Sequence, residues 1–83
     1  MQLQLIKGHF TPQDALEMLT KMTHVKVGYH EYQIQASDSE EDVKFREQRI
    51  KELQHNLREA RQYIAENGQR RVSLQANIVM AFE

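Results

Sequence analysis

The residues with the spacing best suited to chemistry are Glu52 and His55, a Glu-x-x-His pair within Glu52-Leu53-Gln54-His55. On a helix this spacing sets a carboxylate and an imidazole on one face, the arrangement that bundle cores use to hold paired metal ions. Such a centre needs further carboxylates from neighbouring helices. Leu53 belongs to the apolar row described below, so Glu52 and His55 are expected to face water. The histidines His9, His24, His30 and His55 form no His-x-x-x-His or His-Glu-x-x-His pattern. Only if residues 24–34 were extended would His24, Lys26, Gly28 and His30 share a face that could hold a metal weakly. The chain has no cysteine, which excludes a thiol nucleophile, a thiolate zinc site and a disulfide framework. Ser37, Ser39 and Ser73 fall in a turn, a helix cap and a strand, and no glycine-rich phosphate loop is present. The reading is therefore no catalytic residue, no metal, no cofactor and no enzyme.

The remaining chemistry is charge. Lys44, Arg46, Arg49, Lys51, Arg58, Arg61, Arg70 and Arg71 crowd the second half of the chain, but Glu41, Asp42, Glu47, Glu52, Glu59 and Glu66 are interleaved with them. Alternating sign along a helix describes a solvated face. With 12 acids against 11 bases and a net charge of -1, nothing draws the chain toward nucleic acid in general. Arg70 and Arg71, doubled in a dimer, are the residues best placed to contact phosphate, and they support the alternative reading of a small nucleic-acid-associated regulator. No stretch approaches the roughly 18 apolar residues of a membrane helix. The start Met1-Gln2-Leu3-Gln4-Leu5-Ile6-Lys7-Gly8-His9-Phe10 lacks the cationic lead and long apolar run of a secretory signal. A cytoplasmic protein with no membrane contact is the expectation.

The elements that position these residues are legible from periodicity. Met1, Leu3 and Leu5 alternate with Gln2 and Gln4, with Ile6 breaking the polar side, which predicts a strand over 2–6 closed by Lys7 and Gly8. Thr11-Pro12-Gln13-Asp14 reads as a helix cap with proline at the first helical position. Ser39-Glu40-Glu41-Asp42 is a second cap with three acids at the positive end of the helix dipole. Asn67-Gly68 supplies a helix stop. Val72, Leu74, Ala76, Ile78, Met80 and Phe82 alternate with polar residues, broken by Val79 and Ala81, and predict a strand over 71–82.

Between these ends, Ala15, Met18, Met22, Val25, Tyr29, Tyr32 and Ala36 recur at three- and four-residue spacings, as do Val43, Arg46, Ile50, Leu53, Leu57, Ala60 and Ile64. Two such rows joined through Ser37-Asp38-Ser39 predict helices over 12–37 and 40–66 folded back into a coiled-coil-like antiparallel hairpin. Met18 should then face Ala60, Ala15 face Ile64, and the stem of Arg46 lie on the Tyr32 ring, with Gly28 beside the seam allowing close helix approach. Val25-Lys26-Val27-Gly28-Tyr29 also alternates like a strand, which keeps a βαβαβ order as the alternative. The expected fold is a single α+β domain over 1–83, in the order β-α-α-β, with a long helical hairpin flanked by N- and C-terminal strands.

A rod two helices wide has little interior, and a two-stranded ribbon is marginal alone in water. A homodimer joining two ribbons into a four-stranded sheet, with helices covering its apolar face, would bury both, through Leu3, Leu5, Val72, Leu74, Ile78, Met80 and Phe82. The function expected from these features is a non-catalytic oligomeric scaffold or adaptor acting on a protein partner that the sequence leaves unidentified.

Overall fold

The computed structural model describes all 83 residues. Strand β1 (Gln2–Phe10) leads into helix α1 (Pro12–Ala36), which turns through three residues into helix α2 (Glu40–Glu66) and ends in strand β2 (Val72–Val79). Residues 24–34 are helical, so the βαβαβ order is set aside. The α+β hairpin flanked by two strands is the fold.

Local chemistry fixes each boundary. Thr11 Oγ1 accepts from the Asp14 amide at 3.1 Å, and Pro12 begins α1 where its missing N–H costs nothing. Ser39 Oγ accepts from the Asp42 amide at 3.2 Å, with Glu40, Glu41 and Asp42 in the first turn of α2. At the other end, Asn67 Nδ2 donates to the Tyr63 carbonyl at 2.7 Å. Gly68 follows at φ 65°, a left-handed conformation that glycine adopts without strain.

The strands pair antiparallel, and β1 is longer than its first alternation implies. Gly8 does not end it, because the ring of Phe10, two residues on and on the same face, covers the place where a Gly8 side chain would stand. Pairing runs from Phe10 opposite Val72 to Gln2 opposite Val79, with a bulge between Gln4 and Ile6. That bulge explains Ile6. The extra residue, Leu5, shifts the phase of alternation, so Ile6, Gly8 and Phe10 share a face with Leu3 rather than opposing it. Beyond the ladder, Met1 and Met80 exchange backbone hydrogen bonds of 3.1 and 2.9 Å. Regular strand β2 stops at Val79, where the ladder with β1 ends opposite Gln2, short of the Phe82 expected from alternation.

The hairpin uses the α2 row as predicted: Val43, Arg46, Ile50, Leu53, Leu57 and Ala60 are half-buried and Ile64 is buried. The α1 row follows the prediction only at its N-terminal end. Ala15 is buried and Met18 half-buried, as expected, but beyond them the burial passes to Leu16, Leu19, Thr23, Val27, His30 and Ile34, one or two positions on from the expected set, whereas Val25, Tyr29 and Tyr32 are 75%, 56% and 68% exposed. Helix α1 carries two apolar rows roughly 140° apart. The row of Leu, Val and Ile fills the narrow seam, while the tyrosines keep their hydroxyls in water. Gly28 lies on neither close approach: a side chain there would meet nothing within 4 Å.

The molecule measures 46 × 31 × 13 Å. Its least dimension is little more than one helix diameter, so the molecule is a thin plate: one face of the ribbon is half-buried beside the helices, at Ile6, Phe10, Val72, Leu74 and Ala76, and open toward the tip. The radius of gyration is 15.4 Å, against roughly 12 Å for a compact domain of this length. Only Ala15, His30 and Ile64 are buried.

Candidate functional site

The Glu-x-x-His pair is spent on separate neighbours. Glu52 Oε2 accepts from Arg49, and His55 Nε2 meets Glu59 Oε1 at 3.1 Å, each within α2 and partly or largely exposed. No group of three or more histidine, aspartate or glutamate side chains is placed to hold a metal ion. His24 is exposed on α1 and His9 lies in β1, far from a shared face with His30.

The polar cluster that the fold does assemble lies in the hairpin, toward its turn. His30, the buried polar residue, points at α2, where Arg46 Nη1 sits 3.2 Å from His30 Nδ1. Because a guanidinium only donates, Nδ1 is the acceptor and the neutral ring carries its hydrogen on Nε2. Arg46 Nε donates to Asp42 Oδ2 at 3.2 Å, and its guanidinium carbon stands 5.8 Å from the centroid of the Tyr29 ring. The Arg46 stem was expected on Tyr32; the different seam position of α1 brings Tyr29 there instead. Burial, reinforced by the charges of Arg46, Arg49 and Lys26, pushes the His30 imidazole below its ordinary value. The Ser37 hydroxyl chiefly holds the Asp42 carboxyl below its own ordinary value, with burial opposing it and Arg46 adding to it. This cluster clamps the two helices with a buried neutral histidine, and nothing in it is arranged as nucleophile, base and oxyanion donor. Sequence reasoning missed it because His30 looked like an off-seam residue; the signal available was Arg46, a donor in an otherwise apolar row.

The residues expected at an oligomer interface divide by position along the ribbon. Val72 and Leu74, near the helices, are half-buried, while Leu3, Leu5, Ile78, Met80 and Phe82 are exposed. By the pairing register Leu3 and Ile78 share one face, and the Met1–Met80 pair extends it to the ribbon tip. A shallow cleft of about 260 Å³ lies where Leu5 and Ile6 meet Met18, Lys21 and Met22 of α1.

The two arginines expected to contact phosphate line one concavity of about 270 Å³ with Tyr63, Ile64 and Asn67. Arg71 Nη2 already donates to the His9 carbonyl at 2.9 Å, tying the two strands together at their base, so one of the two guanidinium groups serves the fold. No helix is long and apolar enough to cross a membrane.

No protein-family model, no curated protein and no solved structure matches the chain.

Proposed function

We propose that the chain is a non-catalytic building block, an oligomeric scaffold or adaptor whose working surfaces are apolar faces that a single copy leaves open. The observation that carries this reading is the surface itself. The chain exposes 6974 Å², whereas a compact monomer of its mass exposes about 5,200 Å². The excess, roughly 1,800 Å², is on the scale of a stable protein interface. Part of it is the distal ribbon, where Leu3, Ile78, Met1 and Met80 form one uncovered apolar face. Two ribbons joined edge to edge about a two-fold axis would extend the two-stranded sheet to four strands, with helices of the pair covering that face.

Sedimentation equilibrium from about 1 to 100 μM tests the reading. A dimer or larger closed assembly is expected, with Ile78→Asp weakening it while the helical circular dichroism persists. A folded, monodisperse monomer across that range would overturn it. The second reading, phosphate contact through Arg70 and Arg71, has less support because Arg71 is already engaged by His9.

A further inference from the structure

The apolar row of α1 that the hairpin leaves largely open has the spacing of a second coiled-coil seam. Met18, Met22, Val25, Tyr29, Tyr32 and Ala36 keep the alternating four- and three-residue spacing that lets one helix lie along another. Most of it is open: Met22 is over a third exposed, and Val25, Tyr29 and Tyr32 are each more than half exposed. Single apolar residues on a surface need no explanation, but a contiguous row at heptad spacing does. Its N-terminal end runs into the cleft where Met18 and Met22 meet Leu5 and Ile6 of β1, so helix row and ribbon form one continuous apolar track.

We infer that this track is occupied by α1 of a second copy, running antiparallel. Three features select that occupant. First, an antiparallel alignment whose two-fold axis passes by residue 27 sets large against small, Val25 facing Tyr29 of the partner subunit and Met18 facing its Ala36. It also brings Tyr32 against Met22, so that each tyrosine enters the other copy's cleft beside Leu5 and Ile6, where methionine sulfur and aromatic ring pack favourably. A parallel alignment would instead set Tyr29 on Tyr29 and Tyr32 on Tyr32 and leave both clefts empty. Second, Met22, Val25, Tyr29 and Tyr32 expose on the order of 500 Å² per copy, and with the cleft walls the pair reaches about 1,200 Å², the lower bound of stable interfaces. Third, the Lys21 side chain at the rim of the cleft, 2.8 Å from Glu17, leaves the phenol hydroxyl a polar edge to reach rather than a closed apolar wall.

The inference rests on self-association but not on joined ribbons, and the two are separable. The chain has no cysteine, so introduced thiols are unique. Under mild oxidation, a mixture of Met22→Cys and Tyr32→Cys chains should give the mixed disulfide, whereas Tyr32→Cys alone should not link to itself. In the antiparallel alignment two copies of residue 32 stand about 15 Å apart along the axis, beyond the roughly 7 Å a disulfide spans. Val25→Asp, at a position exposed within the single chain, should keep its helical spectrum and weaken dimerisation by at least about 30-fold. Self-linking of Tyr32→Cys at equal yield would show parallel helices and overturn the proposal. So would an intact dimer in Val25→Asp that Ile78→Asp dissociates, since the ribbon alone would then hold it. A monomeric wild-type chain would overturn both this inference and the proposed function.

Discussion

Replacing Arg46 by methionine isolates the clamp between the helices. Methionine keeps most of the apolar stem, so the packing of a side chain that is only 19% exposed is largely preserved. What disappears is the donor to His30 Nδ1 at 3.2 Å, leaving a buried acceptor unpaired. A hydrogen bond from a charged donor is worth about 1.5–3 kcal/mol when its partner stays buried. The part-buried pair with Asp42 lies within one helix, one turn apart, and adds about 0.3–0.5 kcal/mol. A loss of about 2 kcal/mol is therefore expected, equivalent to roughly 8–16 °C in Tm for a domain of this size. Urea unfolding followed by circular dichroism reads it, at one protein concentration because association shifts apparent stability. The double variant His30→Leu/Arg46→Met removes donor and acceptor together and should recover about 1 kcal/mol relative to the sum of the single changes. Additive effects, or an Arg46→Met chain within about 0.5 kcal/mol of wild type, would refute the clamp.

Three further outcomes follow from the same structure. Because burial and the charges of Arg46, Arg49 and Lys26 lower the His30 pKa, the unfolded chain binds more protons below the ordinary value of 6.5. Stability should therefore be fully present above pH 6.5 and decline as pH falls from there toward the folded-state value. His30→Gln should flatten that decline in chemical unfolding between pH 7 and 5, and an unchanged slope would contradict the assignment. Gly28→Ala should stabilise the chain by about 0.5–1 kcal/mol, since a methyl there meets nothing and glycine is costly inside a helix. Gly68→Ala, at φ 65°, should cost about 1 kcal/mol. Thermal melts of the two variants should move in opposite directions.

The helix ends were readable because capping is local: Thr11, Ser39 and Gly68 do what their types and neighbours dictate. The α2 row was readable because that helix has one continuous apolar face. Helix α1 departs from the expected row by one or two positions beyond Met18 because it has two rows, and periodicity weighs both equally. Choosing between them takes the shape of the seam, which favours Leu16, Leu19, Val27 and Ile34 over two tyrosines. The same misassignment displaced Arg46 from Tyr29 to Tyr32 and concealed His30. Strand β1 was cut short at Gly8 because glycine weakens a strand unless a neighbour covers it, and the covering Phe10 comes two residues later.

The bulge at Leu5 makes β1 a strand with a spare link. Excising Leu5 would let Gln4 follow directly onto Ile6 and leave Met1, Leu3, Ile6 and Phe10 looking the same way. Excising Lys7, two positions along, would turn every side chain N-terminal to it over to the opposite side. Within one short ribbon, then, the damage done by losing a single codon depends on which link is lost. The tip can be reeled in at one point without reversing the grease and the polar coat.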